Sequence, residues 1–204
     1  MRLPNLNKEE PHYNELTLRK KSLSHLLGYL NQKNGKVLDL GCGNGWMSAK
    51  LSEHGFQVTG MDVNETELIQ AKRVFGEKIK WVLADVFTLK PVSDYDIVLL
   101  SASLQYFKNP SKLLAKLQTL LADGGKIIVM DTFFYEENEI ESARKRSADY
   151  YQKMGDSAMC KHYFHHAFQD LAPFKYAFVF KPKNKWIRRI FKSSPFPIIA
   201  IGKQ

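Results

Sequence analysis

The chain has 204 residues, of which 44% are hydrophobic, and it carries a formal net charge of +9. A chain of this length can bury one substantial core, so we expect residues 1–204 to form a single domain. The sequence has no run of about 18 apolar residues and no signal-peptide pattern. Its two cysteines are too few for a disulfide framework, so we expect a cytoplasmic protein without a membrane span.

The first predicted element is an amphipathic helix over roughly residues 13–32, which packs on the rest of the domain. Residues 37–45 (VLDLGCGNG) then form an apolar strand that runs into a loop with three glycines. Glycine adopts positive φ angles without steric cost and lets the backbone approach a ligand closely. The helical pattern that begins at Trp46 points its N-terminus at the same ligand. Strand, loop and helix together predict a nucleotide-cofactor site.

Two features of this loop argue against a dinucleotide. The dinucleotide fingerprint G-x-G-x-x-G needs its third glycine where this chain has the bulky Trp46. The buried acid of the strand, Asp39, would repel a pyrophosphate but would attract a cationic ligand. S-adenosylmethionine carries an α-ammonium and a sulfonium and has no phosphate, so it fits the loop better.

Two further strands end in acids. The segment FQVTGMDVN ends in Asp62, which is placed to accept hydrogen bonds from a ribose diol. The segment IKWVLADVF, at 79–87, ends in Asp85. Each acid could instead cap the turn or helix that follows it. Here three successive strands each carry an acid near their carboxyl end, and the first of them runs into a glycine loop. This combination favours the cofactor interpretation.

This order of motifs resembles the class I S-adenosylmethionine-dependent methyltransferases, in which an acidic strand residue precedes G-x-G-x-G. The resemblance extends from Lys36 to Lys203 and is most specific at the cofactor site. It implies that Asp85 accepts from the adenine amino group and that Ser101, after the fourth strand, lies beside the methionine part. The cofactor-binding residues that it implies are Asp39, Gly41, Cys42, Gly43, Asp62, Val63, Asp85, Val86 and Ser101.

The remaining elements complete the architecture. We predict strands at 97–100, 126–131, 174–181 and 195–202, and a leucine-rich helix over 109–125 that the pair Gly124-Gly125 ends. Only a vestigial helix fits between Asp85 and Asp94. The resemblance implies that the last strand is antiparallel and inserted between the fifth and sixth. The expected fold is a three-layer α/β sandwich around a Rossmann-like, seven-stranded, mostly parallel sheet with an antiparallel last strand.

The same resemblance suggests where a methyl acceptor meets the cofactor. It assigns residues 1–33 to an N-terminal helical lid, with Tyr13 and Arg19 as lid contacts to the cofactor. It assigns residues 132–160 to a cap insert between strands five and six. Tyr106 and His162 are candidate general bases, since methyl transfer needs a base only if the acceptor must lose a proton.

The cluster HYFHH at 162–166 places His162 and His166 four residues apart, the spacing of two metal ligands on a helix. No third ligand follows nearby, so we expect no metal and interpret the cluster as polar residues at a helix N-terminus.

Three functions stay open. The first is transfer of a methyl group from S-adenosylmethionine to an oxygen or nitrogen of a small molecule, acidic ones included. The second is RNA methylation, with the basic 181–192 segment binding nucleic acid, since that segment contains no acid. The loop SASLQYF lacks the N-P-P-Y pattern of amino-methylating nucleic-acid enzymes, which favours the small molecule. The third is a non-catalytic S-adenosylmethionine-binding protein, which fold alone does not exclude. The sequence does not indicate an oligomeric state.

Overall fold

The structure is a computed structural model that describes residues 13–30, 34–183 and 194–204, with the backbone alone for 13–15. Most of the basic segment 181–192 and the side chain of Tyr13 therefore lie outside the described residues. The helices are α1 (Tyr13–Tyr29), α2 (Trp46–Glu53), α3 (Glu65–Phe75), α4 (Pro110–Gln118) and α5 (Ile140–Lys153). The strands are β1 (Lys36–Leu40), β2 (Gln57–Asp62), β3 (Lys80–Leu83), β4 (Tyr95–Ser101), β5 (Leu121–Met130), β6 (Phe134–Tyr135), β7 (His166–Ala167), β8 (Tyr176–Phe180) and β9 (Ile198–Gly202).

Seven of these strands form the main sheet in the order β3-β2-β1-β4-β5-β9-β8. Strands β1 to β5 pair in parallel, and β9 pairs antiparallel with both β5 and β8. This confirms the seven-stranded, mostly parallel sheet with its last strand inserted antiparallel. The two short strands β6 and β7 pair separately beside it.

Alternation along the strands divides the core between the two faces of the sheet. Val37 of β1 packs with buried residues of α1 and α2 on one face. Leu38 and Leu40 pack with the leucines of α4 on the other face. Because side chains alternate along a strand, Asp39 points to the same face as Val37, underneath α2. The helices on both faces give the expected three layers.

One predicted element was wrong in its extent. The leucine-rich helix ends at Gln118 instead of continuing to residue 125, and Leu121 already pairs with Tyr95 in the sheet. Leu121 is fully buried, and a buried leucine suits the apolar face of a helix as well as a strand, so the leucine spacing could not reveal the change of element. Gly125 lies inside β5, where an added Cβ would come within 2.9 Å of the Tyr95 carbonyl oxygen.

The other connections follow the expected pattern. A single 3-10 turn, Val86–Thr88, lies between β3 and β4, so the crossover helix is vestigial as predicted. The segment 132–160 contains β6, a 3-10 turn at Glu137–Glu139 and α5, and a second 3-10 turn, Ser157–Lys161, runs one residue past its end. In the part of the chain that the structure describes, no helix has the length and apolarity needed to cross a bilayer.

Candidate cofactor and acceptor site

A cavity of about 710 Å³ opens at the carboxyl ends of β1, β2 and β4, where the glycine loop lies. Ligands in open α/β sheets bind at this edge, outside the carboxyl ends of the strands. Ten of the residues singled out in the sequence line this cavity: Arg19, Asp39, Gly41, Cys42, Gly43, Asp62, Val63, Ser101, Tyr106 and His162. The fold thus brings together side chains from α1, from three strand ends and from the segment after α5.

The glycine loop is shaped by contacts that exclude larger residues. Gly41 has φ +71°, and a Cβ there would lie 2.6 Å from the Cβ of Ser103. Gly45 has φ +79°, and a Cβ there would lie 2.5 Å from the indole ring of Trp81. An L side chain would be strained at either position, so the chain needs glycine to form the cradle at the N-terminus of α2.

Asp39 is the buried acid of the cavity, and only 1% of it is exposed. The Ser48 hydroxyl of α2 donates a hydrogen bond of 2.6 Å to its Oδ2. Burial raises the pKa of Asp39 to about 6, and the nearby charge of Asp62 acts in the same direction, while the Ser48 hydrogen bond opposes both. A carboxylate in such surroundings gains most from a cationic ligand.

Asp62 has two structural partners as well as a face toward the cavity. Its Oδ2 accepts a hydrogen bond of 2.8 Å from the Gly43 amide, and its Oδ1 accepts one of 2.9 Å from the Asn64 amide. The N-cap of α3 is Asn64, whose side chain accepts from two amides of the first turn. Asp62 is therefore not the helix cap, and its carboxylate fastens the glycine loop to the end of β2.

The structure does not place Asp85 or Val86 on the cavity lining. Asp85 is exposed and its Oδ1 accepts a 2.9 Å hydrogen bond from the Phe87 amide, so its side chain caps the 3-10 turn. Val86 is 2% exposed and belongs to the core. Ala84, at the end of β3, lines the cavity instead. The assignment of Asp85 and Val86 to the adenine therefore stays a prediction.

The two candidate bases lie at the same cavity. Tyr106, on the turn after β4, is 48% exposed, and its ring meets that of Tyr163 edge-on at 6.1 Å. His162 follows the 3-10 turn Ser157–Lys161 and is exposed on the cavity lining. Both side chains therefore line the same cavity as Asp39 and the glycine loop.

The helical interpretation of residues 162–166 was wrong. His162 lies in a turn, residues 163–165 have no regular secondary structure, and His166 lies in β7, paired with Phe134. His166 is 3% exposed, and its Nε2 lies 3.1 Å from the Leu104 carbonyl oxygen. The ring is therefore a buried, hydrogen-bonded part of the protein interior. The described ranges contain no group of three or more His, Cys, Asp or Glu residues placed to hold a metal ion.

Several residues at the cavity could not be identified as site residues from the sequence. Asn44, Glu67, Phe107 and Met159 line it, and their residue types alone carry no cofactor signal. Asp131, directly after β5, is 6% exposed and accepts hydrogen bonds from Ser22 of α1 (2.5 Å) and from Ser101 (3.3 Å). Asp131 is a fourth acid that follows an apolar strand, and this position in the sequence could have identified it as a candidate site residue.

Two observations test whether S-adenosylmethionine suits this cavity. Asp39 lines the cavity and supplies a buried negative charge for a cationic ligand. Trp46 also lines the cavity, and its indole Nε1 is buried without a hydrogen-bond partner. Buried donors are nearly always satisfied, so a ligand with acceptor groups fits here.

Comparison with known proteins gives a consistent result. Residues 12–172 match the family model described as a methyltransferase domain. Over 96 residues the chain is 32% identical to an uncharacterized methyltransferase of Mycobacterium tuberculosis. This match covers 46% of this chain and 49% of that protein. Over 109 residues it is 29% identical to the ubiquinone biosynthesis O-methyltransferase of Coxiella burnetii, covering 52% and 47%. The chain thus spans about half the length of the curated relatives it matches.

Among solved structures, the chain is similar to the plantazolicin methyltransferase BpumL in complex with a triazolic desmethylPZN analog and SAH. The TM-score is 0.62 at 19% identity, and the match covers 97% of this chain and 88% of the other. At this identity the likeness concerns the fold.

Proposed function

We propose that this chain, which belongs to the class I S-adenosylmethionine-dependent methyltransferase family, transfers the cofactor's methyl group to an oxygen or nitrogen of a small molecule. The observation that carries the proposal is the buried carboxylate of Asp39 on a cavity whose lining also includes Tyr106 and His162. We assign the lining around Asp39 to the cationic cofactor, and Tyr106 and His162 to the acceptor.

When bound, S-adenosylmethionine would supply a sulfonium methyl group whose carbon an acceptor oxygen or nitrogen attacks in line, while the carbon–sulfur bond breaks and S-adenosylhomocysteine leaves. The protein's own part is to bind, align and exclude water. Asp39 attracts the positive charges, and Asp62 orients the ribose while it holds the Gly43 amide. His162 or Tyr106 takes the proton that an acceptor hydroxyl or ammonium group must lose.

The small-molecule assignment draws support from two sources. One relative is named for ubiquinone biosynthesis and a structural neighbour for plantazolicin, so both are named for small molecules or natural products. The cavity of about 710 Å³ is of the size that holds a cofactor together with a modest acceptor. We further propose that residues 1–204 act as one methyltransferase domain, with 1–33 as the lid and 132–160 as the cap.

Calorimetric titration with S-adenosylmethionine, S-adenosylhomocysteine and NAD tests the cofactor half of the proposal. We expect micromolar affinity for the first two and none for NAD. Transfer of a labelled methyl group to pools of small phenols, amines and acids, compared with RNA, then tests the acceptor half. Transfer to RNA alone would favour the nucleic-acid alternative, and cofactor binding without transfer to any pool would favour a binding protein.

Once an acceptor is found, His162→Gln and Tyr106→Phe identify the base. Loss of the base lowers kcat by roughly 10²-fold or more and leaves the affinity for S-adenosylmethionine unchanged. If neither variant changes kcat, the acceptor reacts without a base from these two residues. If both variants lose cofactor affinity instead, the two side chains hold the cofactor, and the proposed division of the cavity is wrong.

A further inference from the structure

A second cavity, of about 600 Å³, lies on the other side of the segment 159–163 from the cofactor cavity. Met159 and His162 of this segment line the cofactor cavity, whereas Cys160 and Tyr163 line the second one. The Tyr106 and Tyr163 rings, one on each lining, lie 6.1 Å apart. The two cavities therefore share the segment 159–163 as part of their linings.

The second cavity carries a surplus of positive charge. Lys108, just before α4, and Arg144, on α5, both line it. Within the described part of the chain, neither has a hydrogen-bond or ion-pair partner. Asp170 is the acid on this lining, and its Oδ2 already accepts a 2.9 Å hydrogen bond from the Ala167 amide and lies 3.9 Å from His166 Nδ1. The lining therefore carries two cations and one carboxylate, and that carboxylate contacts Ala167 and His166 instead of the two cations.

His165 supplies an independent sign of a missing partner. It lines the same cavity and is 8% exposed. Its Nε2 lies 2.9 Å from the Ser147 hydroxyl, while its Nδ1 is buried without a partner. When the Ser147 hydroxyl donates to Nε2, the Nδ1 atom carries the ring hydrogen and needs an acceptor. A bound oxygen would satisfy it.

The electrostatic surroundings of His165 agree with this. Burial lowers the pKa of His165, and the positive charges of Arg144, His166 and Arg146 lower it further. The ring therefore stays neutral in a positive field, and an anion placed beside it would reverse that effect. The helix α4 begins at Pro110 on the cavity lining, so the positive end of its dipole favours an anion at the same place.

We propose that this second cavity binds an anionic oxygen group, a carboxylate or a phosphate, between Lys108 and Arg144 and beside His165. The group is either a free anion or the acidic end of a methyl acceptor. Lysine and arginine form charge-assisted hydrogen bonds with such oxygens, and arginine can form two at once. The free-anion case does not depend on the proposed methyl transfer, whereas the acceptor case rests on it.

The test uses the full-length protein and follows the imidazole resonances of His165 by NMR. Inorganic phosphate and benzoate are titrated separately at constant ionic strength, with chloride as the balancing anion. We expect a saturable upward shift of the His165 pKa with at least one probe, and no saturable change at the exposed His54. Arg144→Gln should weaken binding by about tenfold or more. Lys145→Gln, an equal charge change on the same helix but off the lining, should leave it unchanged.

The two probes distinguish the two groups: saturation by benzoate but not by phosphate supports a carboxylate, and saturation by phosphate supports a phosphate. Competition between the saturating probe and the methyl acceptor in the transfer assay supports the acidic end of an acceptor, and its absence supports a free anion. A response that follows ionic strength without saturating, or that is equal in Arg144→Gln and Lys145→Gln, overturns the site. S-adenosylmethionine affinity is measured on the same samples. We expect it unchanged in Arg144→Gln, so failure of the anion site and failure of the cofactor assignment give different results.

Discussion

The Ser48 hydroxyl, on α2, donates a hydrogen bond of 2.6 Å to Oδ2 of Asp39, on β1, and so connects the helix to the strand beneath the glycine loop. Both side chains are buried, with 0% and 1% exposed. One hydroxyl does not replace the water that a carboxylate loses on burial. Without a ligand, the surroundings of Asp39 therefore favour the protonated carboxyl over the carboxylate. A cationic cofactor would stabilise the carboxylate.

The first prediction concerns pH. The folded-state pKa of Asp39 is about 6, above its ordinary value of 3.8, so the folded protein binds this proton more tightly than the unfolded chain does. The contribution of Asp39 to the free energy of unfolding is thus complete below pH 3.8 and is lost as the pH rises through 6. The loss amounts to about 3 kcal/mol. Asp39→Asn removes it, so urea unfolding at pH 5 and 7.5 should show a smaller decline for the variant than for the wild type.

Cofactor affinity should change in the opposite direction. The ionised carboxylate attracts the ammonium and sulfonium, so calorimetry should show stronger S-adenosylmethionine binding at pH 7.5 than at pH 5. Asp39→Asn should weaken binding at pH 7.5 and abolish most of this pH dependence. Equal pH profiles for the two proteins would show that the Asp39 carboxylate does not interact with the cofactor.

The second prediction concerns Asp62, which fastens the Gly43 amide and lines the cavity. Asp62→Ala removes the acceptor of that amide as well as the proposed ribose contact. Hydrogen bonds to a charged group contribute about 1.5–3 kcal/mol, so we expect S-adenosylmethionine to bind at least about tenfold more weakly. Glu65→Ala, an exposed acid at the start of α3, is the control and should bind normally. Unchanged affinity in Asp62→Ala would refute the ribose assignment.

The third prediction concerns the packing under the loop. An added Cβ at Gly60 of β2 would lie 2.6 Å from the Trp81 ring and 3.1 Å from Cys42 Sγ. Gly60→Ala should therefore lower the free energy of unfolding by about 1–3 kcal/mol through overpacking. Gly28→Ala is the matched control, because nothing lies within 4 Å of its added Cβ and the residue is helical. It should leave stability unchanged or raise it, as measured by urea unfolding.

Features of the fold could be predicted from the sequence where a few neighbouring residues determine them. The glycine loop, the acids at strand ends and the order of β1 to β5 follow from patterns within about ten residues. The end of α4 did not, because Leu120 and Leu121 are fully buried and buried leucines suit a helix as well as a strand. Leu121 lies in the sheet because it pairs with Tyr95, and a hydrophobic pattern does not indicate which strand a residue pairs with.

The site divides in the same way. Asp39 and Asp62 were found because each stands beside a recognisable loop or strand end. The spacing of His162 and His166 suggested a helix. In the structure His166 instead pairs with Phe134 in a short strand, and its ring is buried. Asp85 shows that a strand-end acid can also form the local cap that was its alternative interpretation. Substitution Asp85→Ala in the calorimetric assay tests its predicted adenine contact.

The last prediction concerns the bond between Ser22 and Asp131, which joins α1 to the end of β5 across 109 positions of sequence. Ser22→Ala removes a donor from a buried carboxylate and should lower the free energy of unfolding by about 1–3 kcal/mol. The exposed Ser24→Ala, two residues further along α1, should change it by no more than about 0.5 kcal/mol. Urea unfolding measures both. Because Asp131 also accepts from Ser101 on the cavity lining, Ser22→Ala should in addition weaken S-adenosylmethionine binding several-fold. If cofactor affinity were unchanged while stability fell, the Ser22–Asp131 bond would hold the helix without shaping the cavity.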